Sequence, residues 1–153
     1  MESWHPHNYE PSAPPFFAMR VAWVDGEVVE IENRLCAPIF SGAANVYMQW
    51  EDLTRLADDV QQFADTLDGG VEWPAGRENA AGLLELRLRR FDRAGHVVCD
   101  VRLETQALGG LPASRLSHFL GTECQYVETF VRSLRQITQT RSGEARLIGV
   151  WKP

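Results

Sequence analysis

The period of apolar positions changes several times along the chain, and each change marks an element. Residues 16–24, FFAMRVAWV, are aromatic and apolar, then Asp25-Gly26 intervenes, then EVVEIENRL follows. Asp-Gly between two such runs signals a hairpin, because both central positions of a type I′ turn need positive φ. The spacing predicts two strands, with Val24 opposite Glu27, Trp23 opposite Val28 and Ala22 opposite Val29. Pro38 interrupts any continuous ladder through residues 35–42. Residues 43–49 alternate again, with Ala44, Val46 and Met48 on one face, and predict a third strand.

The period then lengthens to that of a helix. Leu53, Leu56, Ala57, Val60, Phe63, Ala64 and Leu67 follow i, i+3, i+4, i+7 spacing. Glu51 and Asp52 suit the positive end of its dipole, and Gly69-Gly70 predicts its end. Residues 69–81 read as a loop. A second alternation follows, with Leu84, Leu86 and Leu88, then Val97, Cys99, Val101 and Leu103, on the dry face of two antiparallel strands.

Charge sets the register of that hairpin. Leu88 opposite Cys99 brings Arg87 to Asp100 and Glu85 to Arg102. Sliding by two residues either way sets like charges opposite one another, which is unfavourable. The expected turn is Asp92-Arg93-Ala94-Gly95. Residues 106–121 read as a long irregular connection. Thr122 and Gln125 predict a capping box that starts a second helix, whose buried stripe is Val127, Phe130, Val131, Leu134 and Ile137. Residues 144–151 predict a last strand. No internal repeat is visible.

Together these elements predict an α+β fold. The expected form is a two-layer sandwich, with a mostly antiparallel sheet of about 5–6 strands carrying two amphipathic helices on one face. Pro6, Pro11, Pro14 and Pro15 mark residues 1–15 as a flexible Pro-rich arm, with Trp4 and Tyr9 able to dock on the body. Residues 16–153 are expected to form a single α+β domain.

Composition narrows the function classes. The 153 residues are 44% apolar and 24% charged, with net charge -6. A general nucleic-acid binder needs a cationic surface, so nucleic acid is not an expected partner. No apolar stretch approaches the roughly 18 residues of a membrane span. The first residues also lack a basic-then-apolar leader, so a cytoplasmic, membrane-free protein is expected. Cys36, Cys99 and Cys124 are odd in number and widely spaced, and imply neither disulfides nor zinc. They are expected to be buried, reduced thiols.

The candidate chemistry is sparse. Asp58, Asp59 and Asp65 lie on the outer face of the first helix, in a stretch where six acids meet only Arg55. That face suits a basic protein partner, through complementary potential. Ser117, His118 and Cys124 form an alternative pocket under the 106–121 loop, for a small ligand or an enzymatic reaction. There the helix dipole would lower the Cys124 thiol pKa. His5 and His7 are too few for a metal site. No Gly-rich phosphate loop is present, and Trp50, Trp73 and Trp151 read as core or rim aromatics. No catalytic residue, metal or cofactor is assigned, and self-association stays open.

A strand running into YMQWEDLTRLADDVQQFADTL resembles the WapI-like family of small bacterial proteins. The alternating hairpin LLELRLRRFDRAGHVVCDVRLE and the helix YVETFVRSLRQI extend the resemblance over roughly residues 35–138. Its matching residues, Asp52, Leu53, Leu56, Phe63 and Leu67 among them, are structural, so no site residue carries over. The resemblance implies a bacterial immunity protein that neutralises a toxin by binding it. It leads to the expectation of a non-enzymatic protein-binding module.

Overall fold

The first turn is built on Gly26 and Glu27, one step along from the expected Asp25-Gly26 pair. Gly26 has φ 58°, whereas Glu27 does not take positive φ. Those signs belong to a II′ turn rather than I′. Strands β1 (Phe16–Asp25) and β2 (Val28–Cys36) therefore pair Asp25 with Val28 and Trp23 with Glu30, and the register shifts between Val21 and Trp23. The expected register is corrected accordingly. Strand β3 (Ser41–Gln49) buries Ala44, Val46 and Met48 as predicted.

The computed structural model describes residues 14–75, 82–107 and 109–150. Helix α1 (Trp50–Thr66) buries the predicted stripe from Leu53 to Ala64, leaving Leu67 past its end and partly buried, and the Gln49 backbone N–H donates to Asp52 Oδ2 over 2.9 Å at its start. It ends at Leu67, itself left-handed with φ 55°, before Gly69 is reached. Residues 70–75 are a strand, β4 (Gly70–Ala75), not the expected loop. Strands β5 (Leu83–Arg90) and β6 (His96–Glu104) pair Leu88 with Cys99, Arg87 with Asp100 and Glu85 with Arg102, the register that charge selects.

Residues 115–123 also depart from expectation. They form strand β7 (Arg115–Glu123), paired along its length with β6, where an irregular connection was expected. The second helix, α2 (Cys124–Thr140), accordingly starts after Glu123 and lacks the Thr122–Gln125 capping box. Thr122 Oγ1 instead donates to the Ile148 carbonyl over 2.7 Å. Strand β8 (Glu144–Ile148) follows.

The strands form two antiparallel sheets of four, ordered β3-β2-β1-β8 and β4-β5-β6-β7, rather than one sheet of five or six. The α+β class stands. Both helices pack together, and one continuous apolar core joins them to both sheets.

This topology contains a repeat that residue identities hide. Each half runs βββαβ, and each last strand crosses to the other half: β4 pairs with β5, and β8 with β1. β3 and β7 are nine residues each, and α1 and α2 seventeen. The buried positions of α1, Leu53, Leu56, Ala57, Val60 and Phe63, fall where α2 buries Val127, Phe130, Val131, Leu134 and Ile137. Both helices end on a left-handed residue whose N–H donates to the residue four back, Leu67 to Phe63 and Arg141 to Ile137. The outer sheet faces agree too. Glu32 sits between Arg20 and Arg34, at 3.0 and 3.3 Å. Asp100 sits opposite Arg87 and 3.6 Å from Arg102. Because each half lends a strand to the other, neither closes its own sheet.

Candidate functional site

Strand β7 is the edge of the second sheet, and strand alternation sorts its side chains. Leu116, His118 and Leu120 share the face of Leu103, Val101 and Cys99 on β6, whereas Ser117, Phe119 and Gly121 share that of Arg102, Asp100 and Val98. The ends of the described chain meet this edge. Val150 N–H donates to the Gly121 carbonyl and Gly149 N–H to the Pro15 carbonyl, both over 2.7 Å. The approach at Gly149 is close: a Cβ there would stand 2.5 Å from Leu120 Cδ1, 2.9 Å from Pro15 Cγ and 3.0 Å from the Pro15 carbonyl oxygen, so its neighbours would have to move.

Along β7 lies a groove of about 490 Å³. One wall is the β2–β3 turn, with Pro38, Ile39 and Phe40. Phe91 and His96, from the β5–β6 hairpin, and Phe119 complete the rim. Ile39, Phe40, Phe91 and Phe119 are 84%, 55%, 70% and 61% exposed, although such side chains are normally covered. Gly121 lies in the floor, where an added Cβ would meet nothing within 4 Å.

Two histidines line the groove. Burial pushes the His118 imidazole below its ordinary value, so it is neutral at neutral pH. His96 Nδ1 lies 2.6 Å from Asp92 Oδ2, and its Nε2 lies 3.9 Å from Glu123 Oε1. The His96 hydrogen bond holds the Asp92 carboxyl below the usual carboxylate range. Asp92 Oδ1 also accepts the backbone N–H groups of Ala94 and His96 at 2.9 and 3.1 Å, which closes the hairpin turn. This pair orients an imidazole as a catalytic dyad would. Among the described residues, however, no hydroxyl or thiol hydrogen-bonds to His96.

The predicted pocket residues are not brought together. Ser117 and His118 point to opposite faces of β7, and the groove takes in His118 but neither Ser117 nor Cys124. Cys124 Sγ lies 3.4 Å from the Ala64 carbonyl oxygen and 3.8 Å from Glu128 Oε1. Burial and the nearby Glu128 and Asp65 carboxylates raise its thiol pKa, against the lowering expected from the helix dipole. Of the three free thiols only Cys99 is buried; burial, with the Asp100 charge, pushes it up to about 12.

Asp58, Asp59 and Asp65 are exposed on α1 as expected. Asp58 Oδ1 accepts Arg135 Nη1 of α2 over 2.9 Å, and Asp65 Oδ1 accepts Gln61 Nε2 over 2.8 Å. Trp50 and Trp73 are buried. His5, His7, Trp4, Tyr9 and Trp151 lie outside the described residues, among which no group of three or more His, Cys, Asp or Glu could hold a metal ion. No helix among them is long and apolar enough to cross a membrane.

Sequence reasoning missed Ile39, Phe40, Phe91 and Phe119. The available signal was large apolar residues at turn and connection positions, where polar residues are the rule. Comparison of the chain with protein-family models, curated proteins and solved structures gave no match.

Proposed function

We propose that this chain is a non-enzymatic protein-binding module whose contact surface is the apolar groove along β7. The carrying observation is the group of four exposed apolar side chains, Ile39, Phe40, Phe91 and Phe119, around one hollow. Covering such a patch removes apolar area from water, which favours association. The acidic face of α1 plays a second part. Asp59 and Asp65 present charge outward and speed the approach of a basic partner. The WapI-like resemblance makes a toxin the first partner to test and the chain an immunity protein. A second reading, a small-ligand domain, draws support from the groove volume of about 490 Å³, which is within the range of ligand pockets.

The test is capture from source cells at low and high salt, with the tagged full chain, Phe119→Asp and Asp59→Asn/Asp65→Asn. One stoichiometric partner, lost with Phe119→Asp and kept by the double variant at equilibrium, is the expected result. A partner kept by Phe119→Asp but lost with the double variant would move the contact to α1 and sink the groove.

A further inference from the structure

The first half of the chain supplies an internal template for what the groove accepts. Across the outer face of the first sheet, Trp23, Glu30 and Tyr47 are direct cross-strand partners. The Tyr47 ring lies on that face, beside the Glu30 carboxylate, which pushes the phenol above its ordinary value. The equivalent row of the second sheet is Arg89, Val98 and Gly121. The ring is missing there, the carboxylate is replaced by an apolar floor, and a cation stands where Trp23 stands. Arg89 is exposed, and no acidic side chain pairs with it among the described residues. Gly121 leaves the ring's place open, with nothing within 4 Å of the point where a Cβ would stand.

We propose that the groove binds an aromatic ring bearing a carboxylate, the ring lying over Gly121 and Val98 and the carboxylate on Arg89. The ring fills the place that Tyr47 fills in the first half, beside Phe91 and Phe119, which supply edge and face contacts. The carboxylate answers the Arg89 guanidinium, which has no acidic partner among the described residues. The partner therefore presents this chemistry locally, as an aromatic side chain next to an acidic one. This rests on the groove being the contact surface, but not on the partner's overall charge.

The test is a titration of the ¹⁵N-labelled full chain, followed at the Val98, Phe119 and Gly121 amides. The probes are indole-3-acetate, tryptamine and cyclohexylacetate. Indole-3-acetate is expected to give saturable shifts. Tryptamine should bind about fivefold more weakly, the scale of one exposed charge contact. Cyclohexylacetate should also bind more weakly, because it lacks the ring. Gly121→Tyr copies the first half and should abolish the indole-3-acetate shifts while the chain stays folded. Arg89→Glu leaves the floor intact and should invert the order of indole-3-acetate and tryptamine.

Equal binding of all three probes, or saturable shifts that persist in Gly121→Tyr, would overturn the proposal. So would an order unchanged by Arg89→Glu. No saturation with any probe, while Phe119→Asp still loses a captured partner, would overturn the ligand chemistry and leave the contact surface standing.

Discussion

The two halves of this chain share a backbone plan and differ in what they show to solvent. Inward, they match at most positions, β7 apart: Phe17 and Met19 on β1 stand where Leu84 and Leu86 stand on β5, and the helix stripes coincide. Outward, beyond the shared arginine–acid cluster, they diverge. Tyr47 covers one end of the first sheet, whereas Gly121 leaves the corresponding place in the second sheet bare. The helices differ as well, since α1 carries Asp58, Asp59 and Asp65 where α2 carries Arg132, Ser133 and Gln139. A shared core constrains inward positions through close packing. Outward positions carry no such constraint, and recognition is built there.

The comparison breaks most sharply if the halves do not depend on one another. Leu56→Ala and Phe130→Ala truncate equivalent buried positions, and each should cost about 2–5 kcal/mol. Both should lower the midpoint of one cooperative transition in denaturant, read by circular dichroism and tryptophan fluorescence together. Two separate transitions would show that the exchanged strands do not unite the core.

Gly149→Ala is the next largest change. Its Cβ would drive into Leu120 and Pro15 at the mouth of the groove, and overpacking of this kind costs about 1–3 kcal/mol. Gly121→Ala, on the same edge strand, meets open space and should leave thermal stability nearly unchanged. Equal losses at the two sites would contradict the close approach of residues 148–150 to β7.

A subtler contrast concerns pH. His118 occupies the place of Ala44 in the first half, and burial holds its pKa below 6.5. As pH falls, the unfolded chain takes up this proton first. The stability that the neutral ring contributes is therefore full above 6.5 and is lost as pH falls from 6.5 towards the folded value. His118→Ala, which copies the first half, should flatten the pH dependence of the thermal midpoint in that window. An unchanged slope would assign the dependence to other groups.

The smallest effect is expected at the helix contact. Asp58 and Arg135 are both substantially exposed, so Asp58→Asn should cost no more than about 1 kcal/mol and less in high salt. A salt-independent loss would show that the pair is more than a screened surface contact.

Much of the fold was legible along the chain. The two helix stripes were fixed by 3.6-residue periodicity. The β5–β6 register followed from charge, since only one alignment opposes Arg87 to Asp100 and Glu85 to Arg102. The candidate site was far less legible. In β7 the inward row Leu116, His118, Leu120, Thr122 mixes polar with apolar residues, so the two-residue period fades and the segment resembles a connection. In β4 the described inward positions are only Val71 and Trp73, too few to establish a period.

The sequence by itself determined the inward-facing pattern, because burial rewards apolar side chains at whichever positions the local period repeats. It also determined the charge pairing within a hairpin, because those partners are close along the chain. Only the tertiary structure decided that the strands divide into two sheets with exchanged last strands, and that Ile39, Phe40, Phe91 and Phe119 surround one hollow. Each of those outcomes depends on contacts between residues far apart in sequence. Local periodicity carries no record of such contacts; they are chosen by how the two apolar halves close over a shared core.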